Sequence, residues 1–472
     1  GFDHRAGTLT LHNLGRLTTL VLGDFTAQYG QGVALWQGMS FGKGRETVSP
    51  LMRSGRGLVP FQSTTENRFF RGVGITVAAT PTLAVTGFYS RRNRDATLDS
   101  SVTTTPNLPL PAQTLSLGGL HRTPRETNRK GVFGMTTLGG AIEYRRATIH
   151  GGIAGYQSRF DRLLHPPDQP YRQFDVSGSQ TSMVTAFANA YVNDYSFFGE
   201  VARASSGAYG VLAGAALDHE AGVRTLLLAR HYPRSFSGLY NGAVGESGGT
   251  QNETGVYLGL GLRVTKHWRI SAYVDQYRFP WLRFSVPRPT TGMDSRLVVE
   301  YDPRPWLSSY IQVRHEREES GTDQPGPNGR LLDAVHTEIR QSARWHTEYT
   351  FSDALTLRTR LQLTQFTEQN TEASYGFLLS QGLRLEPTQT LQVDARLAFF
   401  DTDGFDARIY AYEHDLLYSF SVPVLFDRGQ RSYVLAQYEP FPSLTLEAKY
   451  GVTWYPHRQT IGSGLNATRG NR

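Results

Sequence analysis

The residue best suited to chemistry is a serine in a glycine-rich pentapeptide. Residues 245–249 (GESGG) satisfy the G-x-S-x-G pattern, in which a sharp strand-to-helix turn presents a nucleophile, here Ser247. The pentapeptide lies in a polar stretch, and no helical pattern follows it. A chance match in a glycine-rich loop is therefore the favoured interpretation, and a hydrolase that uses Ser247 is the weaker alternative.

A second combination could move protons. Glu413, His414 and Asp415 are consecutive, but on a β-strand His414 would point away from both carboxylates because neighbouring side chains alternate between faces. A solvated polar wall is the favoured interpretation of this cluster. The 13 histidines show no paired spacing of metal ligands, so we predict no metal site. Because both catalytic patterns are weak, we also predict no catalytic residue, and we predict no cofactor.

The stretch from Gly23 to Lys43 (GDFTAQYGQGVALWQGMSFGK) is the most unusual in the chain. Its end, Gly38 to Lys43, faintly resembles a phosphate-binding P-loop, but the spacing is one residue short and Gly44 stands where Ser or Thr is required. Glycines inside a β-like pattern favour bulges or close backbone approaches instead. We predict a structural motif that comprises Gly23, Asp24, Gly30, Gln31, Gly32 and Trp36.

The elements that must position these residues are β-strands, as the segment from Leu391 to Phe400 shows. Leu391, Val393, Ala395, Leu397 and Phe399 alternate with Gln392, Asp394, Arg396, Ala398 and Phe400. Period-two alternation gives a strand one apolar face and one polar face, and about ten tilted residues cross the hydrocarbon core of a bilayer. The same pattern recurs in residues 256–262, 270–274, 297–301, 355–363 and 444–454.

Composition excludes other classes. The 472 residues are 39% hydrophobic with 49 glycines, and no run approaches the 18 or so apolar residues of a membrane-spanning helix. Cysteine is absent, which excludes disulfides and thiolate metal sites. The net charge of +7 comes from dispersed arginines, so no basic tail for nucleic acid is visible.

These patterns predict an all-β fold, a large transmembrane antiparallel β-barrel of about 20–22 strands that occupies residues 1–472 as a single domain. A closed sheet of about twenty strands is too wide for side chains to fill, so the apolar faces would meet lipid and the charged faces a wet lumen. The predicted lumen-lining residues are Arg263, Arg269, Asp275, Arg358, Arg360, Asp394, Arg396, Glu447 and Lys449.

Connectors and aromatic residues agree with a barrel in an outer membrane. Tight connectors near Pro81, Lys266 and Pro387 alternate with long polar ones, as short periplasmic turns and long extracellular loops would. Aromatic residues near strand ends predict interfacial girdles. They are Phe69, Phe70, Tyr277, Phe279, Trp281, Trp454 and Tyr455.

Several stretches also resemble a known family. They are the Gly23–Lys43 stretch, RGLVPFQSTTENRFFRG (56–72), HRTPRE (121–126), QNETGVYLG (251–259), DQYRFPWLRF (275–284) and IGSGLNATRGN (461–471). Together they resemble the outer-membrane barrel proteins of Bacteroidota that are named for an N-terminal helix-hairpin-helix module. The resemblance implies an outer-membrane location but no functional residues. Relative to that family, we expect the helix-hairpin-helix module and a closing C-terminal strand to be missing.

Three functions are compatible with this sequence. The first is a passage or translocation component whose polar lumen is plugged by inward loops such as Ser100–Thr127, since barrels of about 22 strands are characteristically plugged. The second is a non-conducting scaffold that anchors outer-membrane or periplasmic partner proteins, and the third is the hydrolase. Lumen arginines would suit an anionic cargo, and nucleic acid enters only by analogy with the helix-hairpin-helix module. Outer-membrane lipid is the expected surrounding.

Overall fold

The computed structural model describes residues 5–38, 42–65, 67–100, 109–116, 118–119, 121–325, 331–369, 371–462 and 464–470. The first fourteen strands are β1 (Thr8–Leu14), β2 (Leu17–Gln28), β3 (Gly57–Pro60), β4 (Phe70–Ala78), β5 (Leu83–Arg94), β6 (Ala96–Leu98), β7 (Ala112–Leu115), β8 (Phe133–Arg146), β9 (Ile149–Leu164), β10 (Gly178–Val192), β11 (Tyr195–Ala204), β12 (Tyr209–His219), β13 (Val223–Tyr232) and β14 (Glu253–Arg263).

The later strands are β15 (Trp268–Phe279), β16 (Thr290–Arg304), β17 (Leu307–Pro325), β18 (Leu331–Ser352), β19 (Leu355–Glu368), β20 (Ser374–Thr388), β21 (Leu391–Thr402), β22 (Ile409–Tyr410), β23 (Val424–Leu425), β24 (Arg428–Phe441), β25 (Leu444–Trp454), β26 (Thr460–Ile461) and β27 (Thr468–Arg469). One α-helical turn, α1 (Pro124–Thr127), and three 3₁₀ turns, Ser49–Leu51, Pro170–Arg172 and Gly464–Asn466, complete the described elements.

Most strands belong to one sheet. Of its 23 strands, β3, β6 and β7 are short and the other 20 have seven or more residues, in agreement with the predicted number. Many strands that follow each other pair antiparallel through tight turns, as β4 with β5, β8 with β9 and β24 with β25 do. At the β10–β11 turn, for example, Val192 pairs with Tyr195. Asn193 takes the positive φ of 52° that a two-residue hairpin turn requires.

The chain divides into two compact units. The N-terminal unit contains residues 1–260, 275–291 and 321–335, and the C-terminal unit contains residues 261–274, 292–320 and 336–472. In each unit we call the sheet face with the exposed apolar side chains the outer face, and the opposite face the inner face.

The two faces differ as the alternation predicts. In the N-terminal unit, Val256 and Leu258 of β14 are 50% and 55% exposed, whereas Tyr257 between them is fully buried. In the C-terminal unit, Leu397 and Phe399 of β21 are exposed and Asp394 is buried. An apolar outer face over a charged inner face inverts the pattern of a protein that is surrounded by water, and lipid is the medium that suits it. The predicted fold class, a large transmembrane antiparallel β-barrel, is confirmed.

The aromatic prediction was wrong for most of its residues. Phe69, Phe70, Tyr277, Phe279 and Tyr455 are at most 4% exposed, so they do not face lipid. A group of other exposed aromatic residues does lie near the short turns. Examples are Tyr144, Tyr191 and Tyr195 in the N-terminal unit, and Trp268, Tyr301, Trp306, Tyr349, Phe351 and Phe441 in the C-terminal unit. Amphipathic rings at this level suit the membrane–water interface.

The described part of Ser100–Thr127 contains β7, which pairs with β6, and helix α1 with a capping box formed by Thr123 and Glu126. Residues 101–108, 117 and 120 of this predicted plug lie outside the described residues. Among the described helices, none combines the length and the apolar character that a membrane crossing needs.

The inverted faces lead to a test of the lipid contact. Leu258→Arg places a charge in the middle of the outer face of β14, and we expect it to lower the free energy of unfolding in lipid vesicles by about 2–4 kcal/mol. Gln276→Arg is the control, because Gln276 is also exposed on the outer face but lies near the end of β15. Arg278, two residues further along the same face, shows that this end of the strand already carries an exposed charge. The expected cost of Gln276→Arg is about 0–1 kcal/mol. Equal costs in urea titrations of the two variants would contradict the assignment of the outer face to lipid.

Candidate functional site

The segment between β2 and β3 is the most deeply buried non-strand part of the N-terminal unit. We call residues 29–56 the inward segment, of which the structure describes residues 29–38 and 42–56. Tyr29, Val33, Ala34 and Leu35 are fully buried, although no regular element holds them. Gln28 and Gly57 at its two ends are direct partners in the β2–β3 ladder, so the segment leaves and rejoins the sheet at one place.

A buried carboxylate anchors the inward segment. Glu200 projects from the inner face of β11 and accepts hydrogen bonds from the backbone N–H groups of Gln31, Val33 and Ala34. The last two bonds measure 3.1 Å, and Thr185 Oγ1 donates a fourth bond at 2.8 Å. A buried backbone N–H group without an acceptor is energetically costly. The irregular backbone of residues 31–34 has no strand partner, and the single carboxylate of Glu200 accepts three of its N–H groups instead.

Glycine is required where the segment meets this carboxylate. Gly30 has φ +59°, and a Cβ there would lie 2.5 Å from Glu200 Oε2. Gly23 has φ +102°, and its Cβ would lie 2.1 Å from the carbonyl oxygen of Gly7. The predicted close backbone approaches are therefore present at both positions.

The rest of the predicted motif belongs to the same arrangement. Gln31 Nε2 donates to the Arg53 carbonyl at 2.8 Å and to Asn189 Oδ1 at 3.0 Å. The Arg53 guanidinium lies 5.1 Å from the ring centre of Trp36. Burial lowers the pKa of Arg53 to about 10, which leaves it charged at neutral pH. Gly32 accepts from the N–H of Gly242, while Asp24 accepts from Arg71 and from the N–H of Gly7.

A second anchor is an ion-pair network. The sequence points to Asp275 as a lumen residue and to Lys43 and Glu246 only as members of the two short motifs, and it does not indicate Arg230. Arg230 of β13 is fully buried, and its guanidinium donates two bonds to Asp275, at 2.8 and 3.0 Å. Its Nε donates to Glu253 Oε1 at 2.6 Å. Lys43 of the inward segment contacts Asp275 Oδ2 at 3.0 Å and also pairs with Glu246. The network thus joins β13, β14 and β15 to the inward segment.

The loop between β13 and β14, residues 233–252, closes on the same network. Glu253 accepts the backbone N–H groups of Glu246 and Ser247 at 2.9–3.1 Å. The N–H of Trp36 donates to the Tyr240 carbonyl at 2.7 Å, which ties this loop to the inward segment.

The two short motifs have structural contacts here. Ser247 Oγ donates to the Gly249 carbonyl at 2.8 Å, and β14 rather than a helix follows the pentapeptide. The P-loop-like stretch from Gly38 to Lys43 includes residues 39–41, which lie outside the described residues. Lys43 pairs with carboxylates rather than standing at the start of a helix.

The C-terminal unit has its own inner-face network, around Asp394. This buried carboxylate accepts from Arg384 Nε at 3.0 Å, from Gln392 Nε2 at 2.7 Å and from Arg358 Nη1 at 3.4 Å. Arg358 Nε also donates to Glu348 at 2.8 Å. Two carboxylates and two arginines on four neighbouring strands, β18 to β21, therefore neutralise one another.

The expectation of a solvated wall at 413–415 was wrong for Glu413. Glu413 is fully buried and accepts from Arg396 at 2.6 Å and from Arg431 at 2.7 and 2.8 Å. It lies in an irregular segment between β22 and β23 rather than on a regular strand, and this permits the burial. Lys449 lies 3.7 Å from Glu413 and 3.2 Å from Asp415.

All nine predicted lumen residues occupy inner-face positions of their strands. Asp275, Arg358, Asp394, Arg396 and Lys449 belong to the networks above, and Glu447 accepts from the N–H of Leu417. Arg263 and Arg269 are exposed near the β14–β15 turn, where Arg269 pairs with Glu300 and Asp302. Within the described residues, no group of three or more potential ligands could hold a metal ion.

The Glu200 anchor leads to a test. Glu200→Gln removes the charge that the three N–H groups share, and hydrogen bonds to a charged group contribute about 1.5–3 kcal/mol each. We expect amide hydrogen exchange in residues 31–34 to accelerate by about tenfold or more, while β11 stays protected. Glu220→Gln is the matched control, because Glu220 is exposed on the β12–β13 turn. Unchanged exchange in Glu200→Gln would contradict the role of this carboxylate.

Comparisons with known proteins give distant likenesses. No protein-family model and no curated protein matches the sequence. A mutant of the ferric enterobactin receptor (PfeA) of Pseudomonas aeruginosa is 11% identical with a TM-score of 0.47, over 94% of this chain and 70% of that one. The outer membrane protein OmpT of Vibrio cholerae in its trimer form is 9% identical with a TM-score of 0.35, over 79% and 100%. The copper transporter OprC is 10% identical with a TM-score of 0.40, over 93% and 67%.

The strands themselves carry the assignment of fold and location. They pair antiparallel in a sheet of more than 20 strands, expose apolar side chains on the outer face and bury charge on the inner face. The protein is a β-barrel protein of the bacterial outer membrane.

Proposed function

We propose that the protein is a passage component of the outer membrane, which moves an anionic cargo past an inner face that the inward segment occludes. The single observation that carries this proposal is the inward segment itself. Residues 29–38 of this segment have an irregular backbone, yet most of them are buried on the inner face, and charged groups of β11 and β15 hold the segment there. A barrel that served only as a membrane anchor has no evident need for such a segment.

The type of anchoring supports movement rather than a permanent core. Hydrophobic residues of the same volume often stabilise a fold as well as or better than buried ion pairs do. Ion pairs and hydrogen bonds to a carboxylate can instead exchange one polar partner for another, or for water, when a segment shifts. The contacts of Lys43 with Asp275 and of Glu200 with the backbone of residues 31–34 are of this exchangeable kind.

The family resemblance remains part of the proposal. The stretch Gly23–Lys43, one of the six that resemble the Bacteroidota barrel proteins, overlaps the inward segment. The proposal includes no catalytic step, because Ser247 bonds to a loop carbonyl and its carboxylate neighbour Glu253 is engaged by Arg230.

The proposal predicts a change in conductance. Since Gln28 and Gly57 pair directly, residues 29–56 can be replaced by an Asn-Gly turn without a change in the β2–β3 register. We expect the intact protein to conduct little in planar lipid bilayers and the shortened protein to conduct at least about tenfold more, as a barrel of this size leaves a wide lumen once its plug is removed.

The control is the same replacement at residues 165–177. Leu164 and Gly178 are also direct partners, but no residue between them is buried. Both shortened proteins should keep the heat-dependent gel mobility of a folded barrel. A folded protein without residues 29–56 that leaves the membrane insulating would overturn the proposal, as would an equal gain of conductance in the control.

A further inference from the structure

We propose that Arg344 and Arg360, on the inner face of the C-terminal unit, form a binding site for an oxyanion, such as a phosphate or sulfate group. This inference rests on the proposed function only where it names the chemical class of the cargo. Its support comes from the pairing of the neighbouring charges, the geometry of the two guanidinium groups and the nature of their present acceptors.

The carboxylates around these two arginines are already engaged. Glu348 accepts from Arg358, Asp394 accepts from Arg358 and Arg384, and Glu413 accepts from Arg396 and Arg431. Within the part of the chain that the structure describes, neither Arg344 nor Arg360 forms an ion pair with a carboxylate. The positive charge of the pair is therefore not balanced by an adjacent anion of the protein.

The two guanidinium groups converge. Arg344 of β18 pairs in register with Gln362 of β19, and Arg360 pairs with His346, so the two arginines are diagonal neighbours on one face. Cβ atoms in such a pair lie about 7–8 Å apart or somewhat less, within reach of long side chains. Arg344 Nε donates to Gln362 Oε1 at 2.9 Å, and Arg360 Nη2 donates to the same oxygen. The two guanidinium groups thus share one neutral acceptor, the amide oxygen of Gln362.

The other acceptor is also neutral. Arg360 Nη2 donates to the backbone carbonyl of Tyr410 at 3.0 Å, and Arg360 Nε is buried without a hydrogen-bond partner. Both arginines are only partly buried, so a small solute can reach them. A guanidinium has five N–H donors in a planar fork that matches phosphate, sulfate and carboxylate. An oxyanion would replace neutral acceptors by charged ones and would offer an acceptor to Arg360 Nε, which now lacks a partner.

The test is isothermal titration of the detergent-solubilised protein with inorganic pyrophosphate. We expect saturable binding to the unaltered protein. Binding should weaken by about tenfold or more in the double variant Arg344→Gln with Arg360→Gln, and by a smaller factor in each single variant, because charge-assisted donors are lost. Glutamine keeps a polar side chain at each position, and heat-dependent gel mobility verifies that the variants are folded.

Arg358→Gln is the matched control. Arg358 lies on the same strand and face as Arg360, but its guanidinium is paired with Glu348 and Asp394. The substitution Arg358→Gln removes the same charge, but it removes a guanidinium that carboxylates already pair with. Pyrophosphate binding should therefore stay within about threefold of that of the unaltered protein. No saturable binding, or an equal loss in Arg358→Gln, would overturn the site.

The binding test and the conductance test can refute the anion site and the passage function independently of each other. A protein without residues 29–56 that does not conduct, yet binds pyrophosphate through Arg344 and Arg360, would remove the passage function and leave the anion site. A conducting protein that does not bind pyrophosphate would remove the site and leave the passage function.

Discussion

The structure depends on one constraint, which is that strands in a lipid environment must satisfy their backbone hydrogen bonds within the sheet while their side chains alternate between two faces. Alternation sends every second residue inward, and in this chain many of these residues are charged. Charges that are partly shielded from water need partners. The inner face is therefore organised by charge pairing, as Arg230 with Asp275 and Arg358 with Asp394 show.

This constraint explains how far the sequence could predict the fold. Period-two alternation is local, so β14, β15 and β21 were recognisable from the sequence. The alternation also put Asp275 and Asp394 on the face opposite the apolar side chains, and both carboxylates are buried. The aromatic prediction failed because it considered only how close each ring lies to a strand end. It did not consider to which face of the strand the ring points. Tyr277 and Phe279 lie two and four residues after Asp275 on the same strand. The alternation that predicted Asp275 to face inward would therefore have placed these rings on the inner face as well.

The candidate site could be predicted only in part, since its contacts join distant residues. Glycines in the Gly23–Lys43 stretch signalled close approaches, but nothing local indicated that Glu200, 169 positions from Gln31, is the group approached. A charged residue at an inward position among apolar neighbours, as in the β11 sequence YSFFGEVARA, is the available signal. The same signal marks Arg230 in β13. It identifies a residue that needs a partner without naming the partner.

The Glu200 anchor of the N-terminal unit and Arg360 of the C-terminal unit use opposite solutions to the burial of charge, and the difference bears on the proposed function. In the N-terminal unit a carboxylate, Glu200, collects backbone N–H groups and so fixes an irregular segment at several points. In the C-terminal unit Arg360 donates to a backbone carbonyl and an amide oxygen, which are weaker partners for a cation than an anion is. A carboxylate surrounded by donors is satisfied by the protein itself. A guanidinium with neutral acceptors still favours an anion from outside, and for this reason our proposals assign ligand recognition to Arg344 and Arg360 and occlusion to the segment that Glu200 holds.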